Sequence, residues 1–443
     1  TVLAGPTRHT ALLAMTSPRL WHVLLVACML VAACGSALGL KSLVKIRHEA
    51  RPAVFLDRFM FTPGGTLNVT VEAVDKSEWS TLMTMGLLVA VSDTSSGKFS
   101  LLSSRCPLDP AVIAQLGANY TSLKFQAYTL PKASRKLFVE VPRTLHGVWS
   151  IHFVICGPLT EKYNLNVHMT MDNVDISGKV NYLSAGDIPL PWVYLYAGIG
   201  YSVLFALLIR MMYHPQRTVN MLHWLMVALL FFKIVSTLCE SFMYFTMAHT
   251  GEPRGWNIAY YVFHTMRALF LFLLILMIGS GWQMIKAFVS DRDRLLFIIV
   301  IPLQVAANIG LNICDENGIH NFWFYLFHTL DIICCMLVLL PIIRNIEELQ
   351  AKSDSDNKIK KMLEKLRRLR HFYILVVGYI YVTRVIGAVI AFVLPPGSAW
   401  VSNLIVELST FCFYLTAGYE FRPARDNTLF QAVDSDAPKY EDA

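Results

Sequence analysis

Seven apolar runs in the C-terminal half of the chain constrain its fold more than any other feature. They cover residues 190–213, 219–246, 257–285, 295–314, 321–343, 372–394 and 399–419. Each has close to the roughly 20 residues that an α-helix needs to cross a bilayer. Backbone polar groups inside a membrane must pair within the chain, so these runs predict seven transmembrane helices. Of the 443 residues, 55% are hydrophobic and 16% charged, a composition that argues against an ordinary soluble enzyme.

Basic residues predict the orientation of these helices. Lys and Arg concentrate in the cytosolic connections of membrane proteins. If the region before the first helix is luminal, the luminal connections carry Arg254 alone. The cytosolic connections then carry Arg210, Arg217, Lys286, Arg292, Arg294 and a dense run from Lys352 to Arg370. We therefore expect a luminal N-terminal region and a cytosolic C-terminus.

Residues 40–187 have the alternating pattern of β-strands. In TLNVTVEA, the apolar Leu67, Val69 and Val71 alternate with polar residues, and LKFQAYTL, VWSIHFVI and NLNVHMTM repeat the pattern. Turn signals such as Pro63-Gly64-Gly65 separate the runs. Seven or eight short strands in a region of this length predict an all-β sandwich.

Two features are consistent with a luminal location for this sandwich. The asparagine glycosylation sequons of the chain begin at Asn68, on the polar face of a predicted strand, and at Asn119, in a predicted loop. The region also contains two cysteines, Cys106 and Cys156, and an isolated pair in an oxidising compartment most simply forms a disulfide.

Residues 1–39 resemble a secretory leader. Arg19 precedes the apolar run 23–33, and small residues before Leu40 suit a signal-peptidase site. An uncleaved transmembrane helix is the alternative, and whether Met15 is the true start stays open. The predicted units are the leader with upstream residues (1–39), the sandwich (40–187), the bundle (188–421) and a cytosolic tail (422–443).

Ionisable side chains within the predicted spans are the first candidates for a functional site, because charges are costly at membrane depth. They lie in the luminal half of the bundle, with an amide on the fourth span: Lys233, Glu240, Arg267, Asn308, Asp331, Arg384 and Glu407. One interpretation is a set of buried ion pairs that hold the helices in register. The other is a polar cavity that admits water or a lipid head group, and the two are compatible.

A basic stretch before the sixth span predicts an amphipathic helix on the cytosolic membrane surface. Its charged residues are Lys358, Lys360, Lys361, Lys365, Arg367, Arg368 and Arg370. Attraction to anionic lipid explains such a segment. The alternative is a binding surface for a G protein or a coat component.

Catalytic signatures are missing from the sequence. It has no HExxH motif, no Gly-rich phosphate loop and no pair of membrane aspartates. We expect neither an enzyme nor a metal, cofactor or nucleic-acid partner.

Six segments in the membrane half carry a resemblance to a known family. They are NYLSAGDIPLPWVY (181–194), GSGWQMIKAFVSDRDR (279–294), VIPLQVAANI (300–309), DIICCMLVLLP (331–341), LRHFYILVVGYIYVTRVI (369–386) and TAGYEFRPARDN (416–427). In this order they resemble the lung seven-transmembrane receptors, which belong to the GOLD-domain seven-transmembrane (GOST) proteins. Glu420 stands where that family usually has lysine, and Thr428-Leu429 replace its usual Pro-aromatic pair.

The resemblance implies a GOLD-like luminal sandwich, residence in Golgi and endosomal membranes, and a role in membrane trafficking. Expected partners are a luminal cargo or protein and a membrane lipid in the bundle. A G-protein-coupled type of receptor is the alternative, and an ion channel or transporter is a further one. Asp291-Arg292 follows the third span without the aromatic residue of the common receptor switch, and the last span lacks an Asn-Pro-x-x-Tyr element.

Overall fold

The computed structural model describes an N-terminal β-sandwich and the helices that follow it. The described residues are 41–49, 52–73, 84–92, 106–131, 135–156, 163–174, 178–214, 219, 221–279 and 393–422, with short stretches between 299 and 390. The predicted leader, the basic stretch 358–370 and the C-terminal tail after 422 lie outside them.

The sandwich consists of two antiparallel sheets. Within the described residues its strands are β1 (Lys41–Glu49), β2 (Ala53–Phe61), β3 (Thr66–Ala73), β4 (Thr84–Ser92), β5 (Leu123–Thr129), β6 (Lys136–Glu140), β7 (Gly147–Cys156), β8 (Tyr163–Val174) and β9 (Val180–Asn181). One sheet has the order β1-β8-β3-β6, with β9 also paired to β8. The other has the order β2-β7-β4-β5.

The predicted alternation builds the core between the sheets. Leu67, Val69 and Val71 of β3 are buried, and the intervening Asn68 is exposed. Trp149 is fully buried on the facing sheet, packs edge-on against Phe61 and donates its indole N–H to the Leu145 carbonyl at 2.7 Å. The apolar face of each sheet thus meets that of the other, which confirms the predicted sandwich.

A short helix, α1 (Pro110–Asn119), covers the outer face of the second sheet. Its Val112 and Leu116 pack with Leu88 and Val154, which point away from the main core. β4 and β7 are therefore buried on both faces over much of their length. The all-β prediction missed this helix, although its sequence has a start signal: Asp109 accepts a hydrogen bond from the Ala111 amide, and Pro110 occupies the first turn.

The predicted disulfide is present. Cys106, just before α1, is bonded to Cys156 at the end of β7. The bridge lies beside the small cluster under α1 and ties the helix to the sheet that it covers. The prediction of a loop at Asn119 was wrong, because this residue ends α1. Both sequon asparagines, Asn68 and Asn119, are exposed.

The helical region follows β9. Among the described residues its longer helices are α2 (Leu190–Met212), α3 (Met221–Thr250), α4 (Trp256–Gly279) and α5 (Trp400–Glu420), corresponding to the first, second, third and seventh predicted spans. In the described part of the chain, three segments are long and apolar enough to cross a membrane, namely α2, α3 and residues 396–420. A sandwich followed by a helical bundle is thus the architecture predicted from the sequence.

The two regions meet in a seam of backbone and side-chain contacts. Asn173 of β8 is fully buried, and its side-chain amide donates to the carbonyls of Met60 and Leu183 while its oxygen accepts from the Thr62 amide. On the bundle side, the Tyr182 amide donates to the Ala248 carbonyl of α3. The connection from sandwich to bundle is therefore held in one arrangement and is not an extended linker.

Gly186 permits a close approach of two backbone segments in this seam. A Cβ atom built on Gly186 would collide with the carbonyl oxygen of Pro396, just before α5. Next to it, Gly397 lies against the Met60 side chain of the sandwich. The loop before the seventh span therefore contacts both the connecting segment and the sandwich.

Candidate functional site: a buried ionic cluster in the bundle

An ion pair buried between α3 and α5 forms the centre of the site. The Lys233 ammonium lies 2.8 Å from Oε1 of Glu407, and the two side chains are only 1% and 11% exposed. The Tyr201 hydroxyl of α2 donates to Oε2 of Glu407 at 2.9 Å, so both carboxylate oxygens have partners. Two consecutive helices, α2 and α3, thus meet the distant α5 at one carboxylate.

The surroundings stabilise both charges. Lys233 also lies over the Tyr201 ring, 4.9 Å from its centroid, where the face of the ring attracts a cation. A lone buried charge is costly, whereas a hydrogen-bonded pair recovers much of that cost. This geometry favours the ion-pair interpretation for Lys233 and Glu407. Each of the two finds its partner on a different helix, Lys233 on α3 and Glu407 on α5.

Glycines on α2 let its neighbours approach the cluster. A Cβ on Gly198 would lie 2.7 Å from the end of Leu238 on α3, and a Cβ on Gly200 would lie 3.3 Å from the ring of Phe411 on α5. Tyr201 follows directly and is fully buried, packed against Phe411 and Tyr414. Small residues therefore bring α2 close enough for Tyr201 to reach Glu407.

A second group of polar side chains extends from the pair toward the sandwich. Glu240, two turns from Lys233 on α3, accepts a hydrogen bond from Tyr194 of α2. Arg267 of α4 contacts His264 at 3.4 Å and lies within electrostatic range of Glu407. The four charged groups comprise two cations and two anions, so this part of the cluster is neutral.

The other predicted site residues are described only in part. Asp331 is fully buried, close enough to Cys334 to interact with it electrostatically. Arg384 falls in a π-helical segment, Val382–Ile386, but its side chain, like all of Asn308, lies outside the described residues. Whether these three join the cluster stays a prediction.

No group of three or more His, Cys, Asp or Glu side chains among the described residues is placed to hold a metal ion.

Sequence reasoning missed Tyr201 and Asn173. Tyr201 lies among apolar residues of the first span, and Asn173 ends a predicted strand, so neither has a local signal. Each makes a hydrogen bond with a residue more than 100 positions away.

Comparison with known proteins decides the family. Residues 189–428, more than half of the chain, match the model of the GOST seven-transmembrane domain. The chain belongs to the GOST family. It is also similar to a protein of Arabidopsis thaliana described as "candidate G-protein coupled receptor 6", with 28% identity over 406 residues, which cover 88% of this chain and 92% of the relative.

Membership of the GOST family confirms the resemblance found in the sequence, including its seven transmembrane helices. The matched region begins at residue 189, one position before α2, and therefore contains the whole described ionic cluster. This GOST protein is thus a seven-transmembrane, receptor-like membrane protein whose buried charges lie within the family domain.

Asp187, in the segment that connects the sandwich to the bundle, makes the stability of the protein depend on pH. It precedes α2, and burial raises its pKa to about 6 from an ordinary value of 3.8. The folded protein therefore binds a proton at the Asp187 carboxylate more tightly than the unfolded chain does. The stabilisation from this protonation is fully present below pH 4 and is lost as the pH rises through 6. A shift of this size corresponds to about 3 kcal/mol.

We expect Asp187→Asn to flatten the fall in melting temperature between pH 4 and pH 7, and to raise the melting temperature at pH 7. Thermal unfolding of the purified full-length protein over this range measures both effects. Glu252→Gln, at an exposed position in the connection after α3, should retain the wild-type slope. An unchanged slope in Asp187→Asn would contradict the assignment.

Proposed function

We propose that this GOST protein acts in membrane trafficking in Golgi and endosomal membranes, with its sandwich in the lumen engaging a cargo or partner protein. The observation that supports the proposal best is the seam. The Tyr182 amide bonds to α3, Gly186 packs against the loop before α5, and Asn173 fastens the connecting segment to the sandwich. A protein bound to the sandwich is thereby linked mechanically to the helices and, through them, to the cytosolic side.

The partner surface that we propose lies at the β2 edge of the sandwich. Phe55 is 50% exposed there, and its ring packs edge-on against His152 of β7. Phe138, 65% exposed on the β6 edge, pairs in register with Asn68. A glycan on Asn68 would shield Phe138, whereas the ring of Phe55 on the β2 edge stays open. An edge strand also offers backbone groups that a partner segment can pair with.

A matched pair of glycine variants tests this function. Gly186→Ala forces a Cβ against Pro396, whereas the Cβ of Gly117→Ala on α1 meets no atom within 4 Å. We expect tagged wild-type protein and Gly117→Ala to reside in the Golgi. Gly186→Ala should reduce the recovery of luminal partners by proximity labelling several-fold, because the seam no longer closes.

Two results would contradict the proposal. One is a wild-type protein found mainly at the plasma membrane. The other is a correctly located Gly186→Ala variant that labels the same luminal partners as Gly117→Ala. The digestion of glycans at Asn68 and Asn119 by glycosidases reports in the same experiment whether the sandwich has entered the lumen.

A receptor that signals through a G protein is the second candidate. It is supported by the seven-helix domain and by the description of the Arabidopsis relative as a candidate G-protein-coupled receptor. On this hypothesis the basic stretch 358–370 would contact the G protein. Display at the plasma membrane, together with faster nucleotide exchange on a purified Gα subunit, would favour it over trafficking.

A further inference from the structure

An apolar cavity lies in the half of the bundle that faces away from the sandwich. It has a volume of about 520 Å³ and is bounded by the far ends of α2, α4 and α5 and by the beginning of α3. Its floor contains Leu208, Met226 and Leu274, which are buried. Leu207, Leu415 and Tyr419 at its rim are about half exposed or more, so the cavity opens sideways between α2 and α5.

The two ends of the cavity differ chemically. Toward the ionic cluster it is bounded by Tyr414, whose ring lies 5.9 Å from that of Tyr201. At the membrane surface it is bounded by Arg422, whose guanidinium lies over the Tyr419 ring at 4.3 Å. Between these ends the lining is almost entirely aliphatic. The site therefore suits a long apolar group that ends in a negative charge.

We propose that this cavity binds one acyl chain of an anionic phospholipid, with the phosphate of that lipid paired to Arg422. The basic connections predict that this side of the bundle faces the cytosol, and the cytosolic leaflet is the one rich in anionic lipid. The cavity volume is within the range of roughly 300–1,000 Å³ typical of ligand pockets. This site is separate from the luminal partner surface and from the buried ion pair.

Gly418 provides a direct test. It lines the cavity on α5, and a Cβ built on it meets no atom within 4 Å. Gly418→Leu should therefore project a side chain into the cavity and narrow it, and its Cβ displaces no atom. Gly378 of the sixth span is the matched control, because it is exposed, its Cβ also meets nothing, and it does not line the cavity.

The experiment uses full-length protein in nanodiscs that contain photoactivatable phosphatidylserine or phosphatidylcholine with the reactive group in the acyl chain. We expect phosphatidylserine to label peptides from α2 and α5 about five times more than phosphatidylcholine does. This ratio corresponds to about 1 kcal/mol, the usual attraction between one arginine and anionic lipid. Gly418→Leu should lose most of this labelling, whereas Gly378→Leu should retain it. Arg422→Gln should remove the preference for phosphatidylserine.

Undiminished labelling of α2 and α5 in Gly418→Leu would overturn the proposal, since a side chain that projects from α5 into the cavity obstructs an acyl chain bound there. Equal labelling of the wild type by both lipids would overturn it as well, because the bound lipid would not be selected by charge. If Gly418→Leu does not fold, Arg422→Gln at the rim still decides the question through the ratio of the two lipids.

Discussion

Lys233→Met will lower the stability of the bundle by about 3–5 kcal/mol, the usual effect of removing one partner from a buried ion pair. The methionine side chain fills a similar volume, but Glu407 is left buried with one carboxylate oxygen facing an apolar group. The Tyr201 hydroxyl still donates to the other oxygen and cannot neutralise the charge. Thermal unfolding of the purified protein in detergent, and the fraction that elutes as a single species, will measure the loss.

The double variant Lys233→Met with Glu407→Leu is the matched control. It removes both charges and so leaves the balance between Glu240 and Arg267 unchanged. Replacing a complete buried pair by apolar side chains is often close to neutral, so we expect the double variant to recover most of the stability lost in Lys233→Met. A single variant as stable as the wild type would show that the pair is not buried as the structure places it.

Removing the disulfide should have the second large effect, confined to the sandwich. The bridge joins residues 50 positions apart. A loop of that length corresponds to about 4 kcal/mol from restriction of the unfolded chain. We expect the double variant Cys106→Ser with Cys156→Ser to increase amide hydrogen exchange in α1, β4 and β7, because the bridge ties the helix to that sheet. Exchange in α3 should change little.

Cys412→Ser controls for the loss of a thiol, since Cys412 is an exposed free cysteine on α5. It should exchange like the wild type. Unchanged protection of α1 in the double serine variant would show that the apolar cluster of Leu88, Val112 and Leu116 holds the helix without the bridge.

Periodicity predicted the sandwich well because each sheet has one face in the main core. The alternation in β3 is a direct consequence of that burial, and it is visible along the sequence. The same rule failed for the outer face of β4 and β7. There Leu88, Val154 and their neighbours are covered by α1, and a strand buried on both faces no longer alternates cleanly.

For the charges within the bundle, too, the sequence predicted one part of the site and not the other. Their cost in a membrane identified Lys233, Glu240, Arg267 and Glu407 as candidates that need partners of opposite charge. It could not identify those partners. Lys233 and Glu407 are 174 residues apart, and which helix faces which depends on the packing of the whole bundle.

The sequence alone determined the sandwich, the membrane helices, the disulfide pair and the family resemblance. All of these depend on local hydrophobic pattern, on composition or on short motifs. Tertiary structure alone decided that Tyr201 completes the Lys233–Glu407 pair, that Asn173 and Gly186 hold the sandwich on the bundle, and that a cavity lies beside Gly418. These features arise where distant segments pack together, and no local pattern encodes the distances between such segments.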